Sequence, residues 1–342
     1  MQTNTINKDI LVDVKNLSIG FEVSKKMLKA VENVSFNIKK GEILGICGES
    51  GSGKSVTVTS IMKLLPPNGK ILDGSIIYKG QELSNKSEKE MRKLRGNEIS
   101  MIFQDPMTSL NPVFTIQNQL VEAIRLHQKM TKKEAIEKAI KLLEMVGIKD
   151  AAKKIKLYPH EFSGGMRQRV MIAMAIASNP NLIIADEPTT ALDVTVQKQI
   201  LDLLRDLREK IDTSIVLITH DLDVVKNICD RVCVMYAGEI VEEADVVEIF
   251  KNPLHPYTKM LINSIPSGSK NDGLLNVIEG TVPAVENIDR SKCVIADRIR
   301  SLKEEDHEEN PQLREVSPNH YVRCTCYKHF SIDKEREAKN DL

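Results

Sequence analysis

The stretch "EILGICGESGSGKSVTVTSIM", residues 42–62, decides the fold. Its first part is a short apolar run typical of a buried β-strand, and its last part has apolar residues at helical spacing. Between them, "GESGSGKS" matches the phosphate-binding P-loop, whose glycines let backbone N–H groups turn towards phosphate oxygens. A strand that enters this loop and a helix that leaves it are the context that the motif requires. The sequence therefore predicts an α/β domain that binds a nucleoside triphosphate.

Each part of the P-loop has its own expected role. Lys54 would reach the terminal phosphates, and the hydroxyl of Ser55 would coordinate magnesium. The positive end of the helix that begins near Lys54 adds to the attraction for phosphate. The predicted nucleotide-binding residues of this segment are Gly48, Glu49, Ser50, Gly51, Ser52, Gly53, Lys54, Ser55 and Val56.

Polar side chains also follow three other apolar runs. Gln104 follows "ISMIF", Asp186 and Glu187 end "LIIADE", and His220 follows "SIVLIT". Because the carboxyl ends of parallel strands gather at the ligand crevice of an α/β sheet, we expect these side chains to converge on the nucleotide. Asp186 would hold magnesium, and Glu187 would polarise the attacking water, since phosphoryl transfer depends on positioning and charge placement.

Composition narrows the class of protein. The chain has 48 basic and 48 acidic residues, so it lacks the global positive field of a nucleic-acid-binding protein, and we expect no nucleic-acid partner. No apolar run reaches the ~18–20 residues needed to cross a bilayer, and the polar start "MQTNTINKDI" has no apolar signal core. Six scattered cysteines then indicate reduced thiols in the cytosol.

Residues 159–169, "PHEFSGGMRQR", form a polar turn before a helical segment. The free N–H groups and positive end of that helix suit a phosphate. Upstream, "TKKEAIEKAIKLLEMVGI" has apolar residues at helical spacing, so a helical insertion separates this turn from the early strands. The turn itself offers hydrogen bonds rather than an acid or a nucleophile.

The order of these motifs over residues 10–250 resembles the nucleotide-binding subunits of ATP-binding-cassette (ABC) transporters. The resemblance implies an α/β P-loop NTPase cassette: a RecA-like mixed sheet core, an N-terminal antiparallel β subdomain, an inserted α-helical subdomain and a small C-terminal extension. We place the nucleotide-binding domain at residues 8–255, with its helical subdomain at about 105–165. The extension would cover residues 256–332, and residues 333–342 would be a disordered tail.

The resemblance also implies roles for individual residues. Ser163, Gly164 and Gly165 would form the family's signature motif and act in trans, closing over ATP on the P-loop of a second, head-to-tail cassette. The segment "ALD", Ala191 to Asp193, would couple the two sites. The remaining implied roles are catalysis by Glu187, His220, Lys54 and Gln104, magnesium binding by Ser55, Gln104 and Asp186, and adenine stacking by Phe21 rather than Phe36.

Two segments resemble the oligopeptide/dipeptide-type importers more narrowly: "FQDPMTSLNPVFTI" after residue 102 and "NPLHPYTKMLINSIP" after residue 251. The resemblance implies a translocase motor that hydrolyses ATP with Mg²⁺ on the cytoplasmic face of the cell membrane, attached peripherally. Its implied partners are a second ATPase subunit, two transmembrane permease subunits and, indirectly, an extracellular solute-binding protein. Whether the second cassette is a homologue or a copy stays open, although a homologue is expected.

Other functions remain as alternatives at this point. The same motor could serve nickel or another small solute, because selectivity lies in other subunits. A non-transport ABC ATPase of DNA repair or translation is a weaker alternative, since only ~130 residues separate the P-loop from Asp186 and the chain contains one cassette. A regulatory module without turnover would be expected to lack Glu187 or His220, and both are present.

The C-terminal cysteines depart from the family pattern. Many members carry four cysteines there, suited to an iron–sulfur cluster, whereas this chain has only Cys293, Cys324 and Cys326. Ile299 and Asp306 stand where the two middle cysteines are expected. We therefore expect no iron–sulfur cluster and free thiols. A zinc site built from Cys324, Cys326, His320 and His329 is the alternative, but its spacing matches no standard template.

Overall fold

The computed structural model describes residues 9–190, 192–265 and 278–340. Its strands are β1 (Ile10–Val23), β2 (Lys26–Lys39), β3 (Ile43–Cys47), β4 (Gly69–Tyr78), β5 (Gln81–Glu82), β6 (Ile99–Ile102), β7 (Leu182–Asp186), β8 (Ser214–Thr219), β9 (Arg231–Tyr236), β10 (Glu239–Asp245), β11 (Leu313–Ser317) and β12 (His320–Arg323). Its α-helices are α1 (Lys54–Thr59), α2 (Glu88–Leu94), α3 (Pro106–Ser109), α4 (Ile116–His127), α5 (Lys132–Met145), α6 (Ala151–Lys154), α7 (Gly164–Ala175), α8 (Val194–Ile211), α9 (Leu222–Ile228), α10 (Val246–Lys251), α11 (Pro256–Asn263) and α12 (Ile332–Asn340).

The described residues form two compact units. The first unit contains the described residues up to 11, residues 38–43 and residues 79–218. The second unit contains residues 12–37, residues 44–78 and the described residues from 219 onward. The P-loop and the C-terminal extension therefore belong to one compact unit, although the sequence places their boundary at residue 255.

The first unit is built on the parallel strands β6, β7 and β8. Ile102 pairs with Ala185, and Asp186 pairs with Ile218. All residues of β7 and β8 are buried, which explains why their sequences are continuous apolar runs rather than alternating ones. The register brings the carboxyl ends of β6 and β7 to the same edge of this sheet, and that edge carries the polar residues that follow them.

Helices α3 to α7 follow β6, and their ends are set by local signals. Helix α5 begins with a capping box, in which Thr131 accepts a hydrogen bond from the Glu134 N–H and the Glu134 carboxylate accepts one from the Thr131 N–H. It ends before Gly147, whose positive φ of +80° terminates the helix. The buried face of α5, which includes Ala135, Ala139 and Leu142, follows the helical spacing of the sequence.

The second unit contains two sheets. In one, β1 lies between β2 and β4 and pairs antiparallel with β4. In the other, β3 pairs parallel with β9, and β9 then pairs antiparallel with β10. The hairpin β11–β12 continues this sheet, because β12 pairs antiparallel with β10. The mixed sheet therefore runs from the strand before the P-loop into the C-terminal extension.

Glu242 of β10 holds the extension in place although its side chain is completely buried. Its carboxylate accepts hydrogen bonds from the backbone N–H groups of Leu254 and His255, at 2.8 and 2.9 Å. The Nε2 atom of His320 lies 2.8 Å from the same carboxylate. A buried charge is tolerated only when it is fully hydrogen-bonded, and these three partners meet that condition. Glu242 thereby connects β10, the chain before α11 and β12.

The chain end differs from the expected disordered tail. Residues 332–340 form helix α12, whose Glu335 is buried. Its carboxylate accepts hydrogen bonds from the backbone N–H groups of Arg300 and Ser301, at 3.2 and 2.9 Å. The segment is rich in charge, and charge alone does not reveal that one carboxylate has backbone partners more than thirty residues away.

His255 generates a prediction about the pH dependence of stability. Complete burial lowers the pKa of His255 from 6.5 to about 4. The folded chain then binds fewer protons than the unfolded chain between these values, so the free energy of unfolding falls as the pH drops from 6.5 towards 4. A shift of this size corresponds to roughly 3 kcal/mol at most.

The variant His255→Asn should reduce this acid destabilisation, because its amide oxygen can still accept the hydrogen bond that the Tyr257 N–H donates to Nδ1 at 3.2 Å. Urea unfolding near neutral pH and near pH ~4.5 measures the difference. His329→Asn, at an exposed histidine, is the control. An unchanged pH dependence in His255→Asn would contradict the prediction.

Candidate functional site

The P-loop of the second unit lies between β3 and α1. Gly48 has φ +149°, and a Cβ atom at this position would overlap the carbonyl oxygen of Met235 on β9. Only glycine therefore fits here. The Nζ atom of Lys54 donates to the carbonyl oxygens of Gly48 and Glu49, both at 2.8 Å, so its ammonium group lies inside the loop.

Glu49 of the P-loop is held by two residues from the C-terminal part of the chain. Its backbone N–H donates to the phenolic oxygen of Tyr257 at 2.9 Å. Its carboxylate forms a two-point ion pair with Arg298, with N–O distances of 2.6 and 3.1 Å. The guanidinium group also lies over the ring of Tyr236. Sequence reasoning missed Tyr257 and Arg298, because they lie 208 and 249 residues from Glu49 and no motif connects them.

The first unit contains the predicted acidic pair and Gln104. Asp186 is the last residue of β7 and is buried, and Glu187 follows it with a positive φ of +44°. The Glu187 carboxylate accepts hydrogen bonds from Gln104 Nε2 and Thr190 Oγ1, both at 3.0 Å. Positive φ is uncommon outside glycine and is concentrated at functional sites. Thr190 is a further residue that sequence reasoning missed.

The signature residues lie at the start of α7 in the same unit. The exposed Ser163 caps the helix, its hydroxyl accepting a hydrogen bond from the Met166 N–H at 3.4 Å. A Cβ atom on Gly165 would lie only 2.6 Å from Cγ1 of Val196 on α8, so this glycine allows the two helices to approach closely. Asp193 caps α8 through the Val196 N–H at 2.9 Å. Ala191 lies outside the described residues.

Two arginines of α7 stabilise the helical part of the first unit. Arg167 donates to the carbonyl oxygen of Pro159 at 2.7 Å and contacts the sulfur of Met107. Arg169 donates to the carbonyl oxygen of Val146, just after α5, at 2.6 Å. A cation at this position also complements the negative end of α5.

The remaining predicted residues lie in the second unit. His220 is exposed directly after β8, and Phe21 on β1 packs its ring against Gly69 of the paired strand β4. Phe36 is buried, as expected of a core residue. Ser52 is completely buried, whereas Ser50 and Gly51 are exposed on the P-loop.

The thiols of Cys47 and Cys229 near the P-loop are buried. Burial raises the pKa of Cys47 to about 12, and burial likewise raises the pKa of Cys229. A thiol with such a pKa stays protonated at neutral pH and is a poor nucleophile. Neither residue therefore belongs to the chemistry of the site.

The structure groups the C-terminal cysteines differently from the zinc alternative considered above. Cys293, Cys324 and Cys326 lie together with His307. His320 is instead bound to Glu242, and His329 is exposed with its Nδ1 atom 4.0 Å from Asp306. The spacing of these four residues along the chain matches no standard zinc-binding motif, and the sequence analysis did not find His307 for that reason.

Comparison with known families places this geometry in context. A family model described as "ABC transporter" matches residues 31–190, and one described as "Oligopeptide/dipeptide transporter, C-terminal region" matches residues 241–305. The oligopeptide transport ATP-binding protein OppD of Bacillus subtilis is 52% identical over 315 residues, covering 92% of this chain and 88% of the relative. The dipeptide transport ATP-binding protein DppD of Lactococcus lactis subsp. cremoris is 48% identical over 314 residues, covering 92% and 90%.

Among solved structures, the ATP-binding cassette MJ0796, in a dimeric post-hydrolysis state with ADP and Pi, matches with a TM-score of 0.62. It is 30% identical and covers 69% of this chain and 98% of its own. The fold and site thus define an ATP-hydrolysing cassette. The chain belongs to the family of ABC transporter ATP-binding proteins, and the predicted family and fold class are confirmed. Within the described residues, no helix has the length and apolarity to span a bilayer.

The ion pair of Glu49 with Arg298 generates a prediction about nucleotide affinity. Arg298→Ala removes both hydrogen bonds to the Glu49 carboxylate, so the P-loop should lose part of its order. We expect ATP to bind ~5-fold more weakly, about 1 kcal/mol, in the purified chain. Arg298→Lys should give an intermediate value, because lysine keeps the charge but not the planar two-point geometry. Isothermal titration calorimetry with ATP measures the effect.

Arg300→Ala is the matched control, since Arg300 pairs with Glu279 at 2.7 Å but both side chains lie at the surface, 43% and 46% exposed. Exposed ion pairs contribute little, so its affinity should stay near that of the parent chain. Equal ATP affinities for Arg298→Ala and Arg300→Ala would show that the ion pair does not support the P-loop.

Proposed function

We propose that this chain is the ATP-hydrolysing motor of a membrane importer for oligopeptides or dipeptides. The observation that carries the proposal is the extent of the similarity. Relatives named for oligopeptide and dipeptide transport match over 92% of the chain, and that span includes the C-terminal extension as well as the cassette. The family model for the C-terminal region begins at residue 241, one residue before the buried Glu242 that anchors the extension.

Nucleotide binding is assigned to the P-loop. Its backbone N–H groups and the start of α1 would surround the phosphates, with Lys54 on the terminal ones. We assign Mg²⁺ to Ser55, Asp186 and Gln104, which offer the oxygen ligands that this ion prefers. Phe21 remains the proposed contact for adenine.

Hydrolysis is assigned to Glu187 as the residue that orients and polarises the attacking water. The hydrogen bonds from Gln104 and Thr190, both 3.0 Å long, would fix the direction of its carboxylate. Its strained backbone supports the same role, because strain persists where the surrounding structure enforces a geometry. His220 would contact the γ-phosphate and this water.

Two cassettes would close head to tail around the nucleotide. In this arrangement Ser163, Gly164 and Gly165 of one chain would contact the γ-phosphate bound by the other, and Asp193 would lie near the junction. The exposed position of Ser163 at the N-terminus of the twelve-residue helix α7 supports the proposal, since the first N–H groups of a helix have no partner within the helix, and the Ser163 hydroxyl caps that of Met166. The dimeric state of the matching cassette structure supports it as well.

Attachment to the permeases is assigned to the segment after Gln104. It exposes three large apolar side chains, those of Met107, Val113 and Phe114, at 62%, 71% and 49%. Apolar side chains clustered at the surface indicate a protein partner. The second cassette is proposed to be a homologue, and the whole assembly would lie at the cytoplasmic face of the membrane.

The transport assignment is tested with the complete complex. The chain is co-purified with its permeases and second cassette, reconstituted into liposomes and supplied with the binding protein. ATP-dependent uptake of labelled di- to pentapeptides is the expected result. Uptake of nickel without uptake of peptides would contradict the peptide assignment while leaving the motor function intact. Mass spectrometry of the complex shows whether the second cassette is a homologue or a copy.

Glu187→Gln tests the catalytic assignment. The amide cannot accept a proton from water, so we expect ATP turnover to fall by at least ~100-fold while the dissociation constant for ATP changes little. Phosphate release by the assembled complex measures turnover. The exposed Glu209→Gln on α8 serves as control and should retain parent activity. Parent-like turnover in Glu187→Gln would eliminate Glu187 as the base.

Ser163→Arg tests the action of the signature in trans. A long cation at the start of α7 would block approach of a second cassette, so ATP-dependent dimerisation and turnover should be lost while ATP still binds. Size-exclusion chromatography with light scattering measures the ATP-dependent cassette dimer. The chain also carries Glu187→Gln in this experiment, so that bound ATP is not hydrolysed. Glu137→Arg, an exposed site on α5, controls for the added cation. Normal hydrolysis by an assembled complex carrying Ser163→Arg would refute the trans role.

A further inference from the structure

Four side chains of the C-terminal extension converge on one point. The three sulfur atoms of Cys293, Cys324 and Cys326 and a ring nitrogen of His307 all lie within 4.8 Å of one another. The cysteines are at least 98% buried, since their exposed fractions are 2%, 2% and 0%. Three buried thiols and an imidazole in such proximity have the composition of a Cys₃His metal centre.

We propose that Cys293, His307, Cys324 and Cys326 bind a single zinc ion, which closes the C-terminal extension. Around one tetrahedral Zn²⁺, with bonds of about 2.0–2.3 Å, the ligand atoms lie roughly 3.5 Å apart. Separations of up to 4.8 Å need only small side-chain rotations to reach this arrangement. Four ligands satisfy the ion completely, so the site is structural rather than catalytic.

His307 is the ligand that completes the set. Its Nδ1 atom is buried and has no hydrogen-bond partner among the described residues. The imidazole also forms a side-chain hydrogen bond with Cys324, which places a ring nitrogen beside the thiols, where a metal ion would bind it. The turn before it is fixed, because the Asp306 carboxylate accepts a hydrogen bond from the Lys303 N–H at 2.9 Å and the His307 N–H donates to Glu304 at 3.1 Å.

The cysteine pair is also arranged for a metal. Cys324 has a positive φ of +68°, which turns the chain so that the sulfurs of Cys324 and Cys326 reach the same point. The Cys326 N–H donates to the sulfur of Cys324 at 3.4 Å. Hydrogen bonds from backbone N–H groups to sulfur stabilise the thiolate form, which is the form that binds zinc.

The same residues do not fit the four-cysteine iron–sulfur cluster that the family resemblance implies for many members. Ile299 and Asp306 replace the two middle cysteines, and each has another role: Ile299 is a buried apolar residue, and Asp306 accepts the backbone hydrogen bond of Lys303. In a four-iron cluster each thiolate binds a different iron, so the cluster itself separates the ligand atoms. Ligand atoms this close together match one shared ion instead.

A polar groove borders His307. It has a volume of about 770 Å³ and is lined by His307, by Asp297 with its ion-pair partner Lys292, and by Glu304, Glu305, Glu308 and Glu309. Carboxylates along a groove raise the local concentration of cations. A metal site needs a path by which the ion can enter, and His307 lines this groove.

The ion would join distant segments of the extension. Cys293 and His307 belong to one segment, and Cys324 and Cys326 follow strand β12. Arg298, which pairs with Glu49 of the P-loop, lies between the first two ligands. Zinc would thus restrain the turn that carries Arg298. The proposal does not depend on which solute is transported, because the experiments below measure the metal content of the chain.

Metal content is the first test. The full-length chain is purified anaerobically without added metal or chelator, and elemental analysis determines zinc and iron per chain. We expect about one zinc and less than ~0.2 iron. About four irons with broad visible absorption would overturn the proposal in favour of a cluster. Purified chain that lacks metal and fails to take up stoichiometric Zn²⁺ or Co²⁺ would also overturn it. Cobalt should give the intense visible bands of a tetrahedral thiolate site.

Ligand variants test the assignment of His307. His307→Ala should reduce zinc content by at least ~5-fold, whereas His307→Cys, which supplies a sulfur ligand, should keep one zinc per chain. His329→Ala is the matched control at an exposed histidine and should also keep it. Full zinc content in His307→Ala, or equal loss in His307→Ala and His329→Ala, would refute the assignment.

Removal of the metal provides a readout that is independent of ATPase activity. A strong chelator should lower the melting temperature of the parent chain, and stoichiometric Zn²⁺ should restore it, because binding to the folded state stabilises that state. The chelator should leave the melting temperature of His307→Ala unchanged. A melting temperature of the parent chain that does not respond to chelation would contradict a structural zinc.

Discussion

The second unit depends on the close contact between the P-loop and the hairpin formed by β9 and β10. Gly48 lies so near the Met235 carbonyl that a Cβ atom has no room, and the Gly238 N–H of the hairpin turn donates to the Ser52 carbonyl at 3.0 Å. A loop that binds phosphate through backbone N–H groups must keep its shape, and this loop keeps it through backbone contacts on that side. The hairpin continues into β12 through β10, so the same sheet supports the nucleotide loop and the extension.

A second constraint comes from the extension, which contributes side chains to the P-loop instead of forming a separate body. Tyr257 and Arg298 fix the backbone and the carboxylate of Glu49. The position of Tyr257 also depends on Glu242, whose buried carboxylate binds the chain just before α11 and also His320. Because a buried carboxylate that loses a partner is strongly destabilising, changes in the extension should be felt at the nucleotide loop even though no extension residue is assigned to ATP.

The sequence predicts the fold class well, because the signals for its strands and helices are local. The P-loop lies between a strand and a helix within about twenty residues, and the apolar runs before Gln104, Glu187 and His220 form the strands β6, β7 and β8. The contacts that the sequence could not predict join residues that lie far apart along the chain. The partners Tyr257, Arg298 and His307 become visible only once strands and turns bring them together, and the positive φ of Glu187 has no signature in residue type.

The C-terminal cysteines show why counting ligands along the chain is insufficient. A count of three thiols favours neither a four-cysteine cluster nor a standard zinc motif, and it led to the expectation of free thiols. The fold adds a nitrogen from a turn seventeen residues before Cys324, and the distances between the four side chains fit the one small ion that we propose. Ligand number alone would leave a cluster with one histidine ligand as a competitor. The short separation between the ligand atoms supports a single ion instead, because the irons of a cluster hold their ligands farther apart.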